Sequence, residues 1–246
     1  MALILNIETS ADICSAALGR EGEVMAWMAG EGERDHSRVL TLLIGRLLRE
    51  QGVTAKDLDA VAVSEGPGSY TGLRIGVSTA KGMAYALGIP LVAVPTLDAL
   101  ARSVVDTLSS SMAESLGEDG LLSPMIDARR MEVYSALYDR EGRRLTEIHP
   151  HIVDERYYAG ERARHKVLFF GTGSNKCREV LNTPSDLFLE GVVPSADKLV
   201  PLAEERYRAG EFADVAYFEP FYLKEFVATV PRDLLGRTDR NLQGGK

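Results

Sequence analysis

Three short stretches carry residue types that could do chemistry. The loop SEGPGSYTGLRIG, residues 64–76, sets Ser69 among glycines; Glu8, Thr9 and Ser10 close the first apolar run; Gly171, Thr172 and Gly173 close a later one. A nucleophilic Ser69 would need the GxSxG elbow, but Pro67 stands where the first glycine belongs, so Ser69 reads as a turn residue or helix N-cap. The same loop contains no GxxxxGK[ST] phosphate loop, and Lys81 comes a helix stretch too late to complete one. At Thr9, Ser10, Gly171 and Gly173, turn amides and hydroxyls could hold an anion, which makes these four positions vestigial nucleotide-binding candidates. Asp127 follows an apolar run where a catalytic carboxylate could stand, and Asp12 and Glu65 lie near other turns; the plainer role of such residues is to stabilise the turn. The four histidines, His36, His149, His151 and His165, form no HxxxH pair that would bring two imidazoles onto one ion, so no metal is expected.

Composition narrows the classes further. The chain has 246 residues, 45% hydrophobic and 26% charged, with a net charge of −8 and a pI near 5.2. That is the wrong sign for gripping nucleic acid by counterion release, so contact with RNA is expected through a partner. Arg162, Arg164, His165 and Lys166 form a local basic cluster, read as a solvated helix end. No apolar run approaches the roughly 18 residues of a membrane span, and MALILNIETS lacks a basic region ahead of its apolar run. Cys14 and Cys177 are far apart, without CxxC spacing, which argues against a disulfide framework or zinc site. A cytoplasmic protein with no membrane contact is expected.

The elements that position these residues follow from periodicity. ALILNIE, CSAALGR and VMAWMAG read as three strands, and SRVLTLLIGRLLREQG as an amphipathic helix with Leu40, Leu43, Ile44 and Leu47 on its stripe. Then come the strand LDAVAVS, the Gly-rich loop, a helix from Thr71 to Leu87, the strand PLVAV, and a helix N-capped by Thr96. The polar stretch 109–120 reads as a linker. Beyond it SPMIDA, EVYSALYD and RLTEIHPHIV are strands, DERYYAGERA a helix, HKVLFFGTG a strand, SNKCREVLN a helix, LFLEGV a strand, and SADKLVPLAEERYRAG a helix capped by Ser195. The pattern βββαβαβα thus occurs twice, which implies an α/β protein with lobes at 1–110 and 121–222 and a mobile tail at 223–246. Gly72, Gly76, Ala80 and Ala84 recur every fourth residue and line one helix face with small side chains. With Ile75, Thr79 and Met83 they form an expected partner interface together with the Leu40, Leu43, Ile44 and Leu47 stripe. On that reading Gly76→Leu weakens association and leaves the monomer folded.

Two βββαβαβα halves with NIETS at residues 6–10 resemble the actin, sugar kinase and Hsp70 superfamily (ASKHA, ribonuclease H-like). LNIETSADICSAAL, DHSRVL, AVSEGPGSYTGLRIGVSTAKGMAYALGIPLVAVPTLDALA, MIDARRMEVYSALYD, FFGTGS and PFYLK resemble the TsaB (YeaZ) family over nearly the whole chain. The resemblance implies a two-lobed actin-like pseudoenzyme, the non-catalytic partner of TsaD, which transfers threonylcarbamoyl to adenosine 37 of tRNA in t6A biosynthesis. It further implies a TsaD heterodimer through the first-lobe helices, the ATPase TsaE in a ternary complex, tRNA met only through the complex, and a homodimer when alone. No cofactor of its own is implied, beyond weak ATP or ADP binding at a subunit junction. The rival expectation is an independent small-molecule kinase or hydrolase on the same fold.

Overall fold

A computed structural model describes residues 2–30 and 36–223, so most of the expected tail, from residue 224 on, lies outside the described residues. The first sheet is built from β1 (Leu3–Glu8), β2 (Ser15–Arg20), β3 (Glu23–Ala29), β4 (Ala60–Gly66) and β5 (Leu91–Pro95), in the order β3-β2-β1-β4-β5. β1 pairs antiparallel with β2 and parallel with β4. It is buried along its whole length, which is why LILNIE shows no polar alternation. Two helices cover one face of the sheet. In α1 (His36–Glu50) the inward stripe is Leu40, Ile44, Leu47 and Leu48. In α2 (Tyr70–Leu87) Leu73 is buried near the start, and Val77, Ala80 and Ala84 enter the core shared with α1. Ser69 caps α2 by accepting the Gly72 amide at 3.3 Å, and Gly88 ends it in the left-handed region, φ 67°.

The second sheet repeats the arrangement. β6 (Leu121–Asp127), β7 (Glu132–Ser135), β8 (His149–Ile152), β9 (Val167–Phe170) and β10 (Asp186–Leu189) lie in the order β10-β9-β6-β7-β8. Counted from its own first strand, this is the order of the first sheet, with antiparallel and parallel pairs in the same places. The duplicated pattern read from sequence is therefore a duplicated topology.

The helices depart from expectation. The 109–120 linker holds a helix, α4 (Ser110–Leu116), capped by Ser109. In α3 (Thr96–Thr107) Pro95 occupies the cap position; Thr96 is the first helical residue, and its buried hydroxyl has no partner among the described residues. DERYYAGERA yields only α5 (Ala159–Arg162), because Tyr158 sits left-handed at φ 46° and breaks the turn. SNKCREVLN forms a 3-10 turn, Asn175–Cys177, since one buried turn cannot repay the cost of nucleating a helix. The expected strand 144–153 is confined to His149–Ile152. In the last segment a 3-10 turn, Ala196–Leu199, precedes α6 (Val200–Ala209), and the Ser195 hydroxyl bonds Asp197 rather than capping the helix.

Each half lends its last helix to the other. Leu97, Leu100, Ala101 and Val104 of α3 pack with Leu122, Ile126, Leu168 and Phe170 of the second sheet. Leu199 and Ala203 pack with Ile4, Ala60, Ala62 and Val92 of the first. The lobe expected at 121–222 therefore ends in space before α6, and residues 211–223 also run over the first sheet, where the Ala213 amide bonds the Leu91 carbonyl at 2.8 Å. Among the described residues no helix is long and apolar enough to cross a membrane.

Candidate functional site

The turn after β1 is closed from both sides. The Glu8 carboxylate accepts the Ser10 amide at 2.5 Å and the Ser64 hydroxyl at 2.8 Å. Burial pushes its acid constant above the ordinary carboxylate range, against the lowering effect of those bonds. Over the turn lies the loop that leads into α2, where the Ser69 amide bonds the Ser10 carbonyl at 2.7 Å. A Cβ on Gly72 would stand 2.0 Å from the Thr9 carbonyl oxygen, and one on Gly76 2.1 Å from Thr9 Oγ1. The glycines of the small-residue face thus let α2 press on the chain's own turn. Thr9 and Ser10 are left 0% and 2% exposed, so a phosphate cannot reach them without α2 moving away.

The equivalent turn after β6 is built differently. Gly171, at φ +102°, brings its Cα against the Met125 carbonyl, where a Cβ would lie 2.4 Å away. The Gly173 amide bonds the same carbonyl at 2.9 Å. Both glycines are packing residues of the β6–β9 junction. Exposed Thr172 accepts the Asp127 amide at 3.1 Å. Asp127 is committed as well: it accepts the Arg129 amide at 2.7 Å and Lys176 Nζ at 2.5 Å, which is the turn-stabilising role. Beyond it Arg129 and Arg130 are both left-handed, at φ 70° and 49°, a region that costs L-residues other than Gly roughly 1–2 kcal/mol each.

The basic cluster read as a solvated helix end is partly internal. Arg162 is buried and forks onto Asp186 at 2.7 and 2.6 Å, with its remaining reach used on the Glu155 and Tyr157 carbonyls. His151 bonds Tyr158 at 3.2 Å, and burial pulls its imidazolium below the ordinary range. Among the described residues no group of three or more His, Cys, Asp or Glu could hold a metal. A cleft of about 420 Å³ between α3, the turn after β10 and the 196–199 turn is lined by Asp106, Glu190, Asp197 and Lys198 among others. Burial holds the Lys198 ammonium below its ordinary range, and the amine bonds the Val193 carbonyl.

The expected partner face divides in two. Leu40, Ile44, Leu47, Gly72, Gly76 and Ala80 are buried within the first lobe, whereas Leu43, Ile75, Thr79 and Met83 are half-buried at its surface. The expectation for Gly76→Leu is accordingly reversed: the leucine would collide with Thr9 and unfold the lobe before it met any partner. Beside the half-buried seam Leu42 is 63% and Tyr85 82% exposed. One border of α2 escaped the sequence reading. Residues 216–222 run along it, with Lys81 Nζ bonding the Ala216 and Phe218 carbonyls at 3.2 and 2.7 Å. The Phe221 amide bonds the Glu65 carbonyl at 2.7 Å, and the Tyr222 ring lies 4.7 Å from Tyr70. In the sequence this stretch shows aromatic density in FEPFY and the family motif PFYLK, but no period that would place it beside α2.

A family model described as TsaD: tRNA N6-adenosine threonylcarbamoyltransferase matches residues 30–231. The tRNA threonylcarbamoyladenosine biosynthesis protein TsaB of Escherichia coli (strain K12) is 32% identical over 235 residues, covering 92% of this chain and 96% of that protein. The chain belongs to the TsaB family. Of solved structures, YeaZ from Pseudomonas aeruginosa superposes with a TM-score of 0.75 at 30% identity, covering 91% of this chain and all of that one. An inorganic polyphosphate/ATP-glucomannokinase from Arthrobacter matches at 0.52 and 11% identity, over 85% of this chain and 100% of that one, which shows the shared actin-like fold alone. Within this TsaB-family chain, then, the actin-like topology is complete while Thr9 and Ser10 of its first hairpin turn are covered.

Proposed function

We propose that this chain is a non-catalytic partner of the transferase that places threonylcarbamoyl on adenosine 37 of tRNA. The observation that carries this reading is the burial of Thr9 and Ser10 under Gly72 and Gly76. The turn that would hold phosphate in a working kinase of this fold is filled by the chain's own helix. Membership of the TsaB family supports the pathway, and the half-buried seam of Leu43, Ile75, Thr79 and Met83 supplies a docking face. Its occupant on this reading is TsaD, a relative of the same fold that can present equivalent helices; the ATPase TsaE joins the pair, and tRNA is met in the assembly. Without TsaD the same seam closes on a second copy, since a self-complementary patch can form a two-fold dimer. Any ATP or ADP binds weakly and at a subunit junction, and the assembly works in the cytoplasm, where the free thiols of Cys14 and Cys177 stay reduced.

Reconstitution with single-component omission tests the reading. t6A forms only when this chain, TsaD and the remaining components are all present; turnover by this chain alone would favour an independent kinase or hydrolase instead. Gly82 tests the docking face. It is exposed in the middle of α2, and a Cβ there meets nothing within 4 Å. Gly82→Arg should therefore stabilise the monomer slightly, an interior helical Gly costing about 1 kcal/mol, yet abolish co-purification with TsaD. Undiminished co-purification would remove this face from the interface.

A further inference from the structure

The loop between β6 and β7 holds two arginines where the backbone favours asparagine or glycine. Arg129 and Arg130 are consecutive, both left-handed and both exposed. Asp127 and Glu132 are the nearest carboxylates in sequence; Asp127 is held by the Arg129 amide and by Lys176, and Glu132 has a partner of its own. Among the described residues no carboxylate lies within ion-pair distance of either guanidinium. Local conformation does not explain these residue types, because Asn and Asp enter the left-handed region far more readily. Strain that persists in a folded chain points towards function. In the matching turn of the first half Thr9 and Ser10 are buried beneath α2, with only Asp12 and Ile13 exposed at its tip, whereas a 3-10 turn follows β9 and Arg129 and Arg130 stand open to solvent. Lys176 is offset by its ion pair with Asp127, so the positive charge of the loop comes from the two arginines, on a chain of net charge −8.

We propose that the Arg129–Arg130 loop contacts the phosphodiester backbone of the RNA handled by the assembled complex. Two guanidiniums with no carboxylate partner among the described residues can each fork onto phosphate oxygens. In a chain otherwise acidic overall, a polyanion is approached at such a loop. The assignment rests on the function proposed above.

The double variant Arg129→Asn/Arg130→Asn tests it, because asparagine accepts the same backbone and the fold is kept: its melting temperature should equal or exceed that of the parent. In the fully assembled complex, tRNA affinity measured by fluorescence anisotropy should fall about tenfold near 0.1 M salt. The slope of log affinity against log salt should shallow by about one to two, as expected for two lost phosphate contacts. Arg20→Asn/Lys56→Asn removes the same charge elsewhere on the exposed surface. Equal loss in that control would overturn the assignment, as would unchanged affinity and slope in the loop variant. A loop variant that no longer assembles with TsaD would overturn it in favour of an acidic protein partner. A parent complex that assembles but binds no tRNA would refute the RNA contact alone, whereas a parent chain that never assembles would refute the proposed function with it.

Discussion

The two hairpin turns that follow β1 and β6 occupy one topological position in two sheets of the same strand order, yet they are covered in opposite ways. Over the first lies α2, eighteen residues long, seated through Gly72 and Gly76 on Thr9. Over the second lie a loop and a 3-10 turn whose Cys177 and Leu181 enter the core, with two ion pairs beside them: Arg162 on Asp186, and Lys176 on Asp127. Both lobes have apolar cores; the first adds close backbone approach between α2 and its turn, and the second adds these ion pairs. The difference teaches how one topology can cover the start of one turn and leave its counterpart exposed. Wherever the covering helix is shortened, the turn beneath becomes available surface.

Removing the second lobe's ion pairs should have the largest effect. Arg162→Ala strands the Asp186 carboxylate, whose side chain is fully enclosed, and should cost about 3–5 kcal/mol, as broken buried pairs do; denaturant melting of the variant measures it. Asp186 itself is raised by burial but lowered more by its bonds from Arg162 and Thr183, so its constant lies below the ordinary range. A depressed acid adds stability that is present above its unfolded value, about 3.9, and is lost as pH falls through the folded one. Acid melting should therefore begin with the second lobe, and Asp186→Asn should flatten that dependence.

Next comes the first lobe's close contact. Gly72→Ala forces a Cβ onto the Thr9 carbonyl and should cost about 1–3 kcal/mol, as overpacking does; a melting temperature equal to the parent's would mean that α2 does not press on the turn. Ser69→Ala removes the α2 cap for about 1 kcal/mol and should leave t6A formation in the reconstituted system intact. The smallest effect is expected at Glu8, whose constant is raised chiefly by burial. A raised acid favours the protonated fold, so stability is greatest below about 4.3 and declines as pH rises through that value towards the folded constant. Glu8→Gln keeps an acceptor for Ser10 and Ser64 and should raise the melting temperature at pH 8 relative to the parent. A parent melting temperature flat between pH 4 and 8 would show that Glu8 stays ionised in the fold.

The positions of the strands along the chain were legible because buried strands announce themselves: LILNIE, AVAVSEG and VLFF are apolar or small runs bounded by turns. Helices in the second half were less so. REVLN and RYYAGERA have helical spacing, and Leu181 and Tyr157 do reach the core, but the first forms no helix of its own and the left-handed Tyr158 interrupts the second. Of the candidate site residues, the helix stripe was placed on the correct elements while its direction was not. Spacing puts Gly72, Gly76 and Ala80 on one face, but nothing in that spacing says whether the face meets Thr9 or another molecule.

By itself the sequence determined the family, the twice-repeated strand pattern and the lack of nucleophile, phosphate-loop and paired-histidine motifs, since each is a matter of local residue order. Only the tertiary structure decided that Thr9 and Ser10 of the first turn are covered, that α3 and α6 cross between sheets, and that Arg129 and Arg130 stand open. These depend on contacts between Thr9 and Gly72, or Lys81 and Phe218, separated by tens of residues or more than a hundred. No periodicity in a chain encodes which of its faces will meet; steric fit among folded elements does.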